Sequence, residues 1–377
     1  MKIKQLKQKD LAIGKPSPWH VYDSTGRLML KEGVAVQSEA QLLKLLSIGA
    51  FIHVEETAPV EVEKLSVNDA LSPFHHIEET VERLNKLYHD IIYKPADEKK
   101  NYGESFFDIS KHIVELCEYD LDATLGSIHL GKKTHYTLVH PLYCAIISYV
   151  LAFHSGIRDR RVNSIICAAL TSNLGMFDLQ NELVNQNGPL TDEQRVEVEK
   201  HTMRSTILLR RNGVVDKLWL EIVLQHHEKL DGTGYPRKLK GSKFLREARM
   251  LGLADRYHAM VAPRQYREGL SPTDALKEIF KSRGAEVDEN LGSILIKEMG
   301  IYPPGAIVKL VNNETAIVTR RGYDGTKPIV KSIVTSAGNR YEQPMKRDSR
   351  EKGYKIMGLC QPKLDYEWDL PTLWDYL

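Results

Sequence analysis

His226-His227-Glu228-Lys229-Leu230-Asp231-Gly232-Thr233-Gly234-Tyr235-Pro236 is the stretch on which the reading of this chain turns. The apolar run over residues 218–224, Leu-Trp-Leu-Glu-Ile-Val-Leu, leads into it with helical spacing. Two adjacent imidazoles therefore stand at a helix end and are followed at once by a glycine-rich turn. Imidazole is the commonest transition-metal ligand, and glycine lets the backbone pass close to a bound group. A bare histidine pair has a plainer use, since positive charge is favourable at a helix C-terminus. The complete string suits a site that binds metal and phosphate together.

Working outward, residues 123–299 carry helical patterning almost throughout, broken at 156–157, 187–189 and 231–236. Helical spacing also runs over 73–120. After Pro303-Pro304-Gly305 the pattern changes: residues 306–311 and 315–319 flank Asn312-Asn313-Glu314, which reads as a hairpin, and 328–334 reads as a further strand. At the other end, strand signals at 20–23 and 27–30 enclose the turn Ser24-Thr25-Gly26, and a short helix over 38–46 begins at Ser38 as N-cap. The acidic segment 55–67, containing Pro59, reads as a linker. The expected organisation is a small β-rich domain at 1–63, a linker and helical segment at 64–120, the main helical domain at 121–300, and a β extension with a tail at 301–377. The tail, with Trp368 and Trp374, is expected to pack back on the body.

Composition bounds the function. The chain has 377 residues, 42% apolar and 27% charged, with a net charge of +2. That balance fits a soluble globular protein and argues against a strongly basic surface for a nucleic-acid duplex; a nucleotide would be met by a local cluster of cations. Cys117, Cys144, Cys167 and Cys360 show no CxxC spacing, so neither a thiolate zinc site nor a disulfide framework is expected. The first residues lack an apolar signal core, no run is read as long enough to span a bilayer, and a cytoplasmic location is the expectation.

The string HHExxDGxGYP resembles the signature of the HD-GYP family, metal-dependent hydrolases of cyclic di-GMP within the HD superfamily. The resemblance implies a mainly α fold, an HD-superfamily helical bundle, flanked here by the N-terminal β-rich domain and the C-terminal β extension. It can be followed residue by residue. Tyr136-Thr137-Leu138-Val139-His140 is similar to the segment that supplies the first histidine ligand. Gly188-Pro189-Leu190-Thr191 leads to His201, which resembles the histidine after the family's GPLT turn. Leu253-Ala254-Asp255 resembles the segment whose aspartate closes the metal site. The resemblance thus implies His140, His201, His226, His227 and Asp255 as metal ligands. It implies Asp231, Gly232, Gly234, Tyr235 and Pro236 on the nucleotide side, with Arg264 and Arg267 of an RPYR-like segment reaching the phosphates.

The name-giving dipeptide is absent. Where the family's helix ends in His-Asp and continues Ile-Gly-Lys, this chain has Ser172-Asn173-Leu174-Gly175-Met176. A carboxylate that bridges two metals holds them about 3.5–4 Å apart; Asn173 brings a neutral carbonyl oxygen instead, Ser172 replaces an imidazole, and Met176 replaces a cation. A full binuclear site is not expected, nor a third metal, since Tyr136 stands where some members carry a glutamate ligand. A single Fe, Mn, Ni or Zn ion on His201, His226 and His227 is the expected remnant. His258, three residues after Asp255 on one helix face, is a candidate third ligand beside His140 and Asp255.

The expected function is that of a cyclic di-GMP signalling protein, a nucleotide-binding or protein-interacting regulator with little or no hydrolysis. The alternatives are an impaired metal-dependent phosphodiesterase giving pGpG or GMP, and a pure interaction scaffold. A partner protein met through the GYP loop and a homodimer belong to the same expectation.

Overall fold

The computed structural model describes residues 2–5, 11–17, 20–23, 28–47, 51–54, 72–94, 101–131, 136–263, 268–322, 325–360 and 369–376. The expected turn at 24–26, the linker at 55–67, Arg264, Arg267 and Trp368 lie outside the described residues. The chain divides into two compact units, Met1–Glu61 and Val62–Leu377.

The first unit is a four-stranded antiparallel sheet in the order β1-β4-β2-β3, with β1 at Lys2–Gln5, β2 at Val21–Tyr22, β3 at Leu28–Leu30 and β4 at Phe51–Val54. Helix α1 (Glu39–Ser47) starts where Ser38 Oγ accepts from Gln41 N, 3.3 Å away. It buries Leu42 and Leu45 against Val21, Leu30 and Val36 and leaves Leu43 exposed, the alternation an amphipathic helix requires.

The second unit is a helical body: α2 (Pro73–Tyr93), α3 (Tyr102–Tyr119), α4 (Leu121–Leu130), α5 (Tyr136–His154), α6 (Asp159–Thr171), α7 (Phe177–Val184), α8 (Asp192–Glu199), α9 (His201–Arg211), α10 (Lys217–Gln225), α11 (Arg246–Val261), α12 (Pro272–Ser282) and α13 (Glu289–Met299). Helix α5 lies at its centre, packed against α6 and α11. By length and composition alone α5 could cross a membrane, which corrects the expectation that no run could; 83% of its apolar window is instead buried inside the fold. A helix hydrophobic all round is a core helix when other helices cover it.

A five-stranded antiparallel sheet follows, in the order β8-β7-β6-β5-β9: β5 (Ile307–Leu310), β6 (Thr315–Arg320), β7 (Ile329–Val334), β8 (Arg340–Asp348) and β9 (Ile356–Leu359). The β5–β6 hairpin pairs Val308 with Ala316, and its turn holds Asn313 at φ 65°, a left-handed conformation that asparagine tolerates better than most residues. The sheet is fastened to the helices by charge: Arg320 pairs with Asp120 and Arg321 with Asp122. Helix α14 (Leu370–Leu373) returns to the body, where Trp374 is buried edge-on against Phe74, at 5.1 Å between ring centroids. His129 of α4 adds a neutral clasp, its Nδ1 2.7 Å from Pro304 O and its Nε2 2.9 Å from Tyr257 Oη on α11.

Candidate metal centre

Helix α10 delivers the histidine pair. Asp216 caps its start, accepting from Trp219 N at 3.0 Å, and the buried face of Trp219, Leu220, Ile222 and Val223 fixes its rotation. Past Gln225, His226 Nδ1 donates to Val223 O at 2.8 Å. His201, the first residue of α9, likewise donates from Nδ1 to Val198 O. Each of these bonds fixes the tautomer with the lone pair on Nε2. The two Nε2 atoms then face each other at 3.4 Å. Two lone pairs at that distance repel, but two nitrogens each about 2.05 Å from one tetrahedral ion would sit about 3.3 Å apart. His227 completes the group: its ring lies 4.1 Å from that of His226 and 5.0 Å from that of His201, and one ligand atom from each of the three falls within 4.8 Å of the others. Burial pushes the pKa of His201 down to about 3, lowers that of His226, and holds that of His227 well below the ordinary imidazole value. All three are therefore neutral near pH 7, the form that binds metal.

The turn after α6, which carries Asn173, packs against the start of α9. Gly175 makes the approach possible: a Cβ there would lie 2.5 Å from Ser205 N and 2.6 Å from His201 O. Ser205 locks the two segments together, donating from Oγ to Ser172 O at 2.6 Å and accepting from Gly175 N at 2.8 Å. The Ser172 hydroxyl donates to Ala169 O at 3.2 Å and so serves its own helix. Met176 is half-buried. Asn173 Oδ1 is buried and has no hydrogen-bond partner among the described residues. An orphaned carbonyl oxygen of this kind costs roughly 1–3 kcal/mol, and a cation would satisfy it. The three histidines fit a metal ion on grounds of tautomer and spacing.

Helices α5 and α11 carry the other expected ligands. Gly252 lets α11 press against the end of α10, because a Cβ there would enter the van der Waals shell of His226 O. One turn further on, Asp255 Oδ1 meets His140 Nε2 at 2.8 Å. Burial alone would raise the Asp255 pKa, but the hydrogen bond from His140 and the histidines around it hold it well below the usual carboxylate range. His140 Nδ1 faces His258 Nδ1 at 2.7 Å, and Tyr136 stacks on the His140 ring at 5.0 Å. His258 thus meets His140 through the nitrogen remote from Asp255.

The GYP loop supports the histidines from outside. Tyr235 lies over His227 with ring centroids 4.8 Å apart, and its backbone N–H donates to His227 O at 3.2 Å. Asp231 is exposed and accepts from Thr233 N and Oγ1, at 2.8 and 2.7 Å, in a local turn. Gly234 is buried, whereas Gly232 and Pro236 are half-buried. Glu228, which the sequence reading gave no role, is buried and accepts from Arg237 N and Leu239 N, each at 2.7 Å, tying down the chain beyond the loop. A cleft of about 500 Å³ is lined by His226, His227, Asp255, Lys229, Arg256 and Glu286, among others. A larger cavity of about 1100 Å³ lies beside Tyr136 and His258 and reaches Ile307 and Leu359 of the C-terminal sheet. Lys229 and Arg256 share the Glu286 carboxylate, two cations on the cleft wall that no motif announced.

Residues 139–291 match the HD domain family. Among curated proteins the chain is 28% identical over 197 residues to a cyclic di-GMP phosphodiesterase of Pseudomonas aeruginosa, covering 52% of this chain and 47% of that protein. It is 27% identical over 245 residues to a cyclic di-GMP phosphodiesterase of Thermotoga maritima, covering 64% and 63%. It is also 27% identical over 207 residues to a 3'3'-cGAMP-specific phosphodiesterase of Vibrio cholerae, covering 52% and 45%. The aligned part spans between about two fifths and two thirds of these relatives' lengths. Among solved structures, an HDG"Y"P protein from Bdellovibrio bacteriovorus shares the fold at a TM-score of 0.51 and 16% identity, over 78% of this chain and 98% of that one. The helical body is an HD domain, a fold of metal-dependent proteins. Within that superfamily it is similar to cyclic-dinucleotide phosphodiesterases in sequence and to an HD-GYP-type protein in fold.

Proposed function

We propose that this chain is a cyclic-dinucleotide signalling protein whose HD domain binds the nucleotide and hydrolyses it slowly or not at all. One observation carries the reading: where the family's histidine and bridging aspartate stand, the Ser172 hydroxyl is bonded to its own helix and Asn173 offers only a neutral oxygen. The cluster of His201, His226 and His227 then supports one metal position instead of a bridged pair. A metal held there would polarise a phosphate and lower the pKa of a bound water.

The chain's own groups have the following tasks. The Val198 and Val223 carbonyls keep His201 and His226 in the ligating tautomer. Tyr235 shields the outer face of His227. Lys229 and Arg256, on the wall of the smaller cleft, attract the phosphates, and Arg264 and Arg267 are assigned the same task by the motif they occupy. The relatives act, by name, on cyclic di-GMP or on 3'3'-cGAMP, so a cyclic dinucleotide is the proposed ligand class. The exposed edge of the GYP loop, at Asp231 and Thr233, is the proposed face for a partner protein.

A second reading, a weak single-metal phosphodiesterase, is favoured by the three-histidine group itself, a ligand set that can hold one ion with a bound water. One experiment separates the two. The protein is incubated anaerobically near stoichiometry with cyclic di-GMP and manganese or ferrous iron, and the nucleotides are separated over hours. Intact nucleotide with saturable micromolar binding supports the regulator. Linear pGpG or GMP, lost in His226→Ala, supports the phosphodiesterase. Neither binding nor turnover overturns both.

A further inference from the structure

Beside the three-histidine cluster, α5 and α11 assemble a second donor set that the family pattern does not contain. Cys144 lies one helical turn after His140 and so shares its face. His258 reaches the same point from α11. Ligand atoms of His140, Cys144 and His258 lie within 4.8 Å of one another, and all three residues are buried. His140 is engaged at both ring nitrogens. Its Nε2 is 2.8 Å from Asp255 Oδ1, and its Nδ1 is 2.7 Å from His258 Nδ1, 3.3 Å from Tyr136 Oη and 3.9 Å from Cys144 Sγ.

We propose that His140 Nδ1, His258 and Cys144 Sγ form a second metal position that takes a borderline-soft dication of the zinc or cobalt class. The Asp255 carboxylate is acceptor-only, so the proton between it and His140 belongs to Nε2. In a neutral ring that leaves the lone pair on Nδ1, the side facing His258, while Cys144 Sγ lies against the ring itself, 3.9 Å from Nδ1 and 3.7 Å from Nε2. The result is a carboxylate–histidine–metal arrangement, with the carboxylate orienting the ring from outside. It uses the opposite nitrogen of His140 from the one that meets Asp255.

The spacings suit this assignment. Two nitrogens on one tetrahedral ion lie about 3.3 Å apart, and a nitrogen and a thiolate sulfur about 3.6 Å apart. The observed 2.7 and 3.9 Å fall on either side of these values, so sub-ångström movements complete the shell. Tyr136 Oη stands where a fourth donor is needed. A thiolate with two imidazoles favours zinc or cobalt over magnesium or manganese. Binding is balanced by protons: Cys144 loses its thiol proton to solvent as the sulfur–metal bond forms, and the His258 ring proton moves from Nδ1 to Nε2, which frees the Nδ1 lone pair for the ion. With all three ligand residues buried, the position holds a structural ion, not a hydrolytic one. It is independent of whether the chain binds a nucleotide.

The test is titration of the metal-free full chain with cobalt(II), read by absorption and by metal analysis. The expected result is a thiolate-to-cobalt charge-transfer band in the near ultraviolet. Cys144→Ser and Cys144→Ala, both close in volume to the native side chain, should each remove the band and lower the stoichiometry by one ion. His258→Gln should remove it from a different element. His226→Ala, which disables the three-histidine cluster, should leave it in place. No thiolate band in the parent, or a band that survives Cys144→Ser, overturns the proposal; either result leaves the three-histidine reading standing.

Discussion

Replacing His226 by alanine tests the centre most directly. The imidazole is 2% exposed, donates to Val223 O, and faces His201 Nε2 at 3.4 Å. Its loss leaves two of the three imidazoles, too few to hold an ion firmly. An ion present at about 100 times its dissociation constant stabilises a protein by about 2.7 kcal/mol. At about 2–4 °C per kcal/mol for domains of this size, saturating metal should raise the thermal midpoint of the parent by about 5–11 °C. Manganese is the ion to use, because the thiolate-containing position beside His140 disfavours it. In chelator, His226→Ala should melt somewhat below the parent, having lost a buried side chain and its hydrogen bond. On adding manganese its midpoint should move by less than about 2 °C, as two donors give little binding to link to folding. Thermal unfolding followed by fluorescence, with chelator and with excess manganese, reads both numbers. A parent whose midpoint ignores manganese, ferrous iron, nickel and zinc alike would refute the argument from lone pairs and spacing, as would a variant that shifts as far as the parent.

Asn173→Asp keeps the shape of the side chain and adds the missing charge; manganese should bind at least tenfold tighter by calorimetry, and an unchanged affinity would separate Asn173 from the centre. Gly175→Ala places a Cβ 2.5 Å from Ser205 N, so it should cost about 1–3 kcal/mol in urea unfolding and weaken metal binding together with stability; a neutral substitution would show that the turn yields freely. In the C-terminal sheet, burial opposes the ionisation of Glu314, but Arg347, Ser332 and Tyr341 bring its pKa down to about 2 from 4.5. The unfolded chain therefore binds the extra proton first, and this contribution, on the order of 3 kcal/mol, is complete above about pH 5 and is lost as pH falls toward 2. Acid titration of stability should show that slope in the parent and a flatter one in Glu314→Gln.

Much of the architecture could be read before any coordinates. Helical periodicity over 123–299 and the apolar alternation on either side of Asn312-Asn313-Glu314 point to a helical body followed by a hairpin, and the β5–β6 register follows that alternation. These are local signals. The centre was legible in a different way, through the string at 226–236, which names residue types without placing their atoms. The Nδ1 bonds to the Val198 and Val223 carbonyls depend on how two helix ends are cut, and periodicity says nothing about that. Cysteine spacing gave no reason to expect a thiolate site, yet Cys144 lies with two imidazoles, because His258 reaches His140 from 118 residues away. The expectation that no segment could span a bilayer failed on α5 for a related reason: a helix enclosed by other helices has the composition of one enclosed by lipid.

His129 gives the C-terminal sheet a standing that its place in the sequence conceals. One imidazole holds Pro304 O with one nitrogen and Tyr257 Oη with the other, and Tyr257 adjoins His258 in the chain. Cutting the chain after residue 300 would strand Nδ1 of a ring that is otherwise enclosed, and would loosen the helix that carries Asp255. The helical body and the sheet should accordingly melt in a single transition, and an excised HD segment should lose affinity for metal before it loses its helices. What looks like an appendage is part of the frame that keeps the centre in register.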